Sequence, residues 1–353
     1  KILMSSAVKS FCSRWTSLLL VLTLSLVLAS CSLRQTEPDT IRIGVTVYDE
    51  QDTFIASLIQ SLQQDAQQAE VRYGIKINVS VADGKGNQTT QMEQVDRFIK
   101  QGCDVLCVNI VDRTAAAVLI DKAKEAEIPL LFFNREPVEE DLRRWDEVVY
   151  VGAKAEQSGV LQGRMLVEAW QDDTERWDKN GDGVLQYVLL EGEPGHQDAL
   201  LRTEYAAKSM TAEGLSAQKL AGDTANWNRG QAASKMRLWL DQYGDAIEAV
   251  ISNNDDMALG AIDAFLEKEM EVPLVVGVDA TKQALDAIEQ GTLYGTVHND
   301  ADGIAKALLD LCLTYSGILE DSQAPHLEKG HYLWFSYQEV TAKNIDEWRQ
   351  SLN

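Results

Sequence analysis

Asp178-Lys-Asn-Gly-Asp-Gly-Val-Leu-Gln186, Tyr187-Val-Leu-Leu-Glu191 and Gly192-Glu-Pro-Gly-His-Gln-Asp198 follow one another without a break in a chain of 353 residues. The apolar middle, 187–190, reads as a buried strand. The Gly-Pro-Gly turn after it carries His196, Asp198 and, four residues on, Arg202. A buried strand that empties into a polar loop and then a helix is the repeating unit of parallel-sheet α/β proteins, in which ligands collect outside the carboxyl ends of the strands. The nine residues ahead of the strand place oxygen-bearing side chains at positions 1, 3, 5 and 9 (Asp178, Asn180, Asp182, Gln186), with Gly183 at position 6, where the loop must turn sharply. Calcium loops of the EF-hand kind have that spacing. A solvated Asp/Asn/Gly turn without metal has it too.

Outward from this run the pattern repeats. Residues 41–47, 75–81, 105–110, 128–133 and 148–151 read as strands, and 54–71, 88–101 and 114–126 between them as helices with apolar residues at helical spacing. After Gly152 the alternation restarts with a helix over 157–170 and strands near 185–190, 218–221, 247–251, 274–278 and 293–297. Two successive series of βα units predict an α/β protein of two Rossmann-like parallel-sheet lobes. The tail, with a helix over 301–315, one strand over 331–340 and a short helix over 342–351, is too small for a third lobe. It reads as elements exchanged between the first two.

Residues 1–30 are set apart from this fold. Lys1, Lys9 and Arg14 precede an uncharged run over 17–28, and Leu28-Ala-Ser-Cys31 follows. That is a bacterial secretion signal ending in a lipobox. The lipobox resembles that of bacterial lipoproteins, which implies cleavage before Cys31, a lipid on Cys31 and a tether over 32–40. The alternative is an ordinary signal cut near Ser30. The apolar run is short for a membrane-spanning helix, so contact with the membrane is expected only through the lipid.

The chain carries 32 basic and 55 acidic residues, a net charge of −23, and loss of the signal removes three basic residues and no acidic one. Nucleic acid is excluded as a partner by that balance. Cys103 and Cys107 stand four strand residues apart, roughly 13 Å, beyond the ~7 Å reach of a disulfide. Both are expected as free thiols, as is Cys312 on an apolar helical face.

The loops at predicted strand ends hold Asp52, Phe54, Asn134, His196, Asp198, Arg202, Trp227, Asn254, Asp279 and Asn299. This set suits a sugar, whose hydroxyls each donate and accept and whose C–H faces lie flat on aromatic rings. Carboxylates, amides and arginine would bond the rim, and Phe54 and Trp227 would cover the faces. Each residue also has a plainer reading. Asp52 suits a helix N-cap, Asp198 and Arg202 an i,i+4 ion pair, Asn254 and Asn299 caps or turns, and the aromatics core. Paired carboxylates such as Asp198 and Asp279 also occur in glycoside hydrolases, but no phosphate loop, GxGxxG or G-x-S-x-G elbow accompanies them. No enzymatic activity is expected.

Arg42-Ile-Gly-Val-Thr-Val-Tyr48, Phe132-Phe-Asn134, Tyr150-Val-Gly152, Gly192-Glu-Pro-Gly-His196, Asn253-Asn-Asp255, Gly277-Val-Asp-Ala280 and Gly295-Thr-Val297 with Asn299-Asp-Ala301 closely resemble the periplasmic galactose/glucose-binding proteins of bacterial ABC import. The match is dense and in order from about residue 41 to residue 301. The resemblance implies a monomer of two lobes, 41–151 with 301–333 and 152–300 with 338–353, joined by three crossings around one D-glucose or D-galactose. It assigns ring stacking to Phe54 and Trp227, and hydroxyl bonding to Asp52, Asn134, His196, Asp198, Arg202, Asn254, Asp279 and Asn299. It also implies a structural calcium ion held by Asp178, Asn180, Asp182, the carbonyl of Val184, Gln186 and the distant Glu248, since position 12 of the loop is Leu189 and offers no carboxylate. An ABC permease is the implied partner. A membrane signalling receptor is the alternative, and a repressor's sensing domain is disfavoured because a signal stands where a helix-turn-helix would.

Overall fold

The computed structural model describes residues 40–351, and the expected signal, Cys31 and most of the tether lie outside them. Residues from Ile41 onward form one compact unit built on two six-stranded sheets. In the first, β1 (Thr40–Val47), β2 (Lys76–Asp83), β3 (Val105–Val108), β4 (Leu130–Phe133) and β5 (Val148–Ala153) stand in the order β2-β1-β3-β4-β5, with β11 (Tyr332–Phe335) beyond β5. The second repeats that order with β6 (Leu185–Glu191), β7 (Ala217–Thr224), β8 (Ala249–Ser252), β9 (Leu274–Val276) and β10 (Gly295–His298), and β12 (Gln338–Thr341) lies outermost.

The strand sequences explain why both sheets are covered on two faces. Val105–Val108, Leu130–Phe133 and Ala249–Ser252 are buried at every position, and only helices on both sides can take up a strand with no polar face. In the first lobe one face carries α1 (Thr53–Tyr73) and α11 (Ala301–Tyr315), with Leu58, Leu62, Leu308 and Leu311 in a single core. Helices α2 (Gln88–Lys100) and α3 (Ala116–Glu125) cover the other. In the second lobe α5 (Ala155–Asp172) and α7 (Gln197–Ala212) cover one face, and α8 (Arg229–Tyr243) and α9 (Asp255–Glu267) the other. Two short helices, α4 (Glu139–Leu142) and α6 (Thr174–Trp177), and α10 (Lys282–Glu289) complete the run to α11.

The chain passes between the sheets after β5, after β10 and after β11. The single strand expected over 331–340 is two strands in different sheets. β11 runs parallel to β5, and β12 runs antiparallel to β10, which makes the second sheet mixed where an all-parallel one was expected. At the break, buried Tyr337 has its backbone N–H bonded to Gln157 Oε1 (3.2 Å) and its carbonyl to Gln157 Nε2 (3.3 Å). A side chain there replaces the neighbouring strand, so the apolar pattern continues while the ladder does not. The short helix α12 (Ile345–Ser351) follows.

Candidate functional site

In both sheets the strand order reverses beside the first strand of the lobe, and the segments after β1 and β4 share one crevice with those after β6, β7, β8 and β9. Nine of the ten sequence-derived residues line a single polar cavity there: Asp52, Phe54, Asn134, His196, Asp198, Arg202, Trp227, Asn254 and Asp279. Asn299 is not among them; it stands behind Asp279 and donates to its Oδ1 (3.4 Å). Tyr48 and Arg135 also line the cavity and were not singled out from sequence. Tyr48 reads as the end of a strand, and Arg135 sits directly after Asn134, where a basic neighbour at a strand end was the available signal.

Several plainer readings hold simultaneously with the site geometry. Asp52 caps α1, its Oδ1 accepting from Ile55 N (2.9 Å), while Oδ2 accepts from the Tyr48 hydroxyl (2.5 Å). Asn254 caps α9 through Met257 N (3.0 Å) and His196 caps α7, its Nδ1 accepting from Asp198 N (3.1 Å). That bond makes Nδ1 the unprotonated ring nitrogen. Withdrawal from water, reinforced by the positive charges of Arg135 and Arg202, holds the imidazole pKa well below its usual value and keeps the ring neutral. Phe54 is both part of the first-lobe core and part of the wall.

Arg202 organises the second-lobe side. Its Nη1 donates to the Asn253 carbonyl (2.7 Å) and its Nη2 to the Tyr337 hydroxyl (3.1 Å), with Asp198 Oδ2 at 3.5 Å. The pair is almost fully buried, unlike a surface i,i+4 bridge. Burial pushes the carboxyl pKa of Asp198 up, and that of Asp279 further, with Arg202 opposing both shifts. Two buried donors of this site, Arg202 Nε and Trp227 Nε1, have no hydrogen-bond partner among the described residues. A buried donor left unpaired costs about 1–3 kcal/mol, so their presence on one cavity points to a polar ligand.

Backbone strain collects at the same place. Asn134 (φ 60°), Trp227 (φ 61°) and Asp279 (φ 119°) lie in the region that disfavours side chains, and so do Asn226 and Ala280 beside them. The strained turn at 226–227 drives the indole against Gly192, where a Cβ would approach the ring to 2.1 Å. It also sets the indole edge-on to His196, centroids 5.1 Å apart.

The lobes are drawn together by direct contacts. Thr53 Oγ1 donates to Asp256 Oδ2 (2.5 Å), Gln197 Nε2 to Glu136 Oε2 (2.9 Å), and Arg135 Nη2 meets Glu193 Oε2 at 2.7 Å. Burial and nearby Asp198 raise the Glu136 pKa to about 7.

The Asp178–Gln186 loop folds around its own carboxylates. Asp178 accepts from the amides of Gly181, Asp182 and Gly183, and Asp182 Oδ1 accepts from Val184 N. Gly181 and Gly183 take positive φ (74° and 75°) to make the turn. Glu248, buried at 1% exposure, closes the loop from below, accepting from Lys179 N (2.8 Å) and Gln186 N (2.9 Å). Among the described residues no group of three or more His, Cys, Asp or Glu side chains is arranged to hold a metal. A cation here would therefore draw on amide and carbonyl oxygens as well, and the donor set of carboxylates, Asn180, Gln186 and the Val184 carbonyl suits calcium. The side-chain amides of Asn180 and Gln186 both donate to Asp182 Oδ2, so their oxygens would have to turn inward. Cys103, Cys107 and Cys312 are free and buried, with the last two sulfurs 3.7 Å apart.

Residues 43–317 match the family model of the periplasmic binding protein domain. The chain is 38% identical over 271 residues to the D-galactose/methyl-galactoside binding periplasmic protein of Haemophilus influenzae, covering 76% of this chain and 80% of that one. It is 30% identical over 314 residues to a putative rhizopine-binding protein of Rhizobium meliloti, covering 88% and 93%. Among solved structures, an ABC transporter solute binding protein from Bacillus halodurans with bound myo-inositol matches with a TM-score of 0.74 at 25% identity, covering 90% of this chain and 99% of that one.

Proposed function

The chain belongs to the periplasmic binding protein family, extracytoplasmic solute-binding components of transport and not enzymes, and from that premise we propose that it captures D-glucose or D-galactose between its lobes and delivers the sugar to an ABC permease. The observation that carries this reading is the composition of one cavity. Three carboxylates, two amides and two guanidinium groups surround it, the rings of Tyr48, Phe54 and Trp227 and the His196 imidazole flank it, and two buried donors face it without a partner among the described residues. A pyranose offers both the equatorial hydroxyls for such a rim and the apolar faces for Phe54 and Trp227. The Haemophilus relative's ligand supports galactose.

In this mechanism the first lobe contributes Asp52, Phe54 and Asn134 and the second His196, Asp198, Arg202, Trp227, Asn254 and Asp279. A sugar that touches both sets stabilises the closed form over the open one, by no more than its difference in affinity for the two. Asn299 acts at one remove by fixing Asp279. The permease reads the closed pair of lobes. Calorimetric titration with free hexoses tests the reading: one sugar per chain supports it, and no binding of any hexose refutes it.

The proposal includes two further features. Calcium at Asp178, Asn180, Asp182, Val184, Gln186 and Glu248 would tie the loop before β6 to the start of β8 and serve stability alone. A lipid on Cys31 would hold the protein as a monomer at the outer face of the cell membrane. Among the described residues no helix is long and apolar enough to cross a membrane.

A further inference from the structure

A second cavity of about 560 Å³ opens at the mouth of the crevice, between the loop after β3, the segment after β4 and the turn at 193–197. Arg135 and His196 line both this cavity and the polar site behind it. Arg135 and His196 therefore form the wall between them, and the position of Arg135 is set from three sides. Its guanidinium carbon lies 3.4 Å from the centre of the Tyr48 ring, its Nη1 donates to the Val111 carbonyl (3.2 Å), and its Nη2 is held by Glu193 across the lobes (2.7 Å). The arginine is 5% exposed and the glutamate 36%. The carboxylate is the yielding partner, free to swing toward solvent.

The chemistry of the outer cavity is mixed. Arg113 is framed by the carbonyls of Glu136 and Pro137 (3.0 and 3.1 Å), and Gln197 is bonded to Glu136. An anion entering would meet Glu136 and Glu193, and a cation would meet Arg113 and Arg135. A neutral polyhydroxylated group finds donors and acceptors without a charge opposed to it. The volume suits a group the size of a sugar or a glycerol.

We propose that this cavity is a subsite for a neutral polyol or glycosyl substituent carried on the bound hexose, and that the Arg135–Glu193 bridge is the partition that decides whether such a substituent is admitted. With the bridge closed the site favours the free hexose. With Glu193 displaced, Arg135 shifts along the Tyr48 face and the two cavities join. Glu193 is thus a specificity residue that lines the outer cavity and not the polar site behind it. The inference rests on the hexose reading above.

The test is calorimetry of the full chain, Glu193→Ala and Thr114→Trp against free D-glucose and D-galactose and against the same hexoses bearing a glyceryl or glucosyl group at each hydroxyl in turn. Thr114 is an exposed residue on the outer cavity, so tryptophan there fills the subsite without entering the inner site. For at least one substituted position, Glu193→Ala should lower the ratio of substituted to free Kd roughly tenfold. Thr114→Trp in the Glu193→Ala background should restore the ratio while changing free-hexose Kd less than about twofold. Ratios unmoved by Glu193→Ala at every position overturn the partition, as does a Thr114→Trp effect equal on free and substituted sugars. Absence of binding by every free hexose overturns the hexose reading itself, a result distinct from hexose binding with unchanged ratios.

Discussion

Trp227→Ala should cost most of the sugar affinity and little of the fold. The indole is half-buried, packs against the cores of both lobes and presents itself to the cavity beside His196. A hexose laid on one face covers on the order of 70 Å² of it, worth about 2 kcal/mol at ~25 cal/mol per Å², or a roughly 30-fold rise in Kd. The backbone helps to separate ring from turn. At φ 61° alanine inherits the strain that tryptophan bears, whereas glycine relieves roughly 1 kcal/mol of it. Titration calorimetry with D-glucose should give the same loss for Trp227→Ala and Trp227→Gly, with the glycine variant melting higher. Trp227→Phe should recover most of the affinity. A Kd for Trp227→Ala within about twofold of the parent chain, with a normal melting curve, would refute the stacking role.

Other consequences follow from the same geometry. Glu136 has a folded pKa of about 7 against an ordinary 4.5, with burial and Asp198 raising it and Arg113 and Gln197 opposing them. The closed protein thus holds this proton more tightly, and the sign follows: its contribution to closure is complete below 4.5, declines as pH rises and is lost above about 7. Sugar Kd should rise over that window, and Glu136→Gln should flatten the profile measured by calorimetry; a parent profile already flat would contradict the assignment. A calcium chelator should lower the melting temperature of the sugar-free chain by several degrees, since a cation at 100 times its Kd contributes about 2.7 kcal/mol. Glu248→Gln should reduce that shift, and identical melting with and without chelator would leave the loop as a metal-free turn. Cys31→Ser should move the protein from the membrane fraction to the soluble fraction on immunoblotting, and retention would argue against a lipid anchor.

The central strands were the most legible part of the chain, because runs such as Leu-Leu-Phe-Phe over 130–133 have no polar face and admit only a doubly covered sheet. The break at 336–337 was hidden because apolar residues continue through it and the partner that ends the ladder, Gln157, comes from a helix 180 residues away. At the site, strand-end polarity brought out nine of the residues on the cavity, yet it could not separate lining from support. Asn299 has the same residue type and loop position as Asn254 but bonds Asp279 instead. Tyr48 and Arg135 matter through stacking between loops far apart in sequence, and a one-dimensional pattern carries no trace of that contact. The strained backbone at Asn134, Trp227 and Asp279 was equally invisible, since no glycine marks it.

The central claim is that a hexose binds between the lobes. Calorimetry of the chain lacking residues 1–31 against D-glucose, D-galactose, D-ribose, xylitol and myo-inositol tests it most directly. One molecule of D-glucose or D-galactose per chain, bound more tightly than the pentose and the polyols, is the predicted result. Saturable binding of myo-inositol or ribose with no heat from either hexose would contradict it.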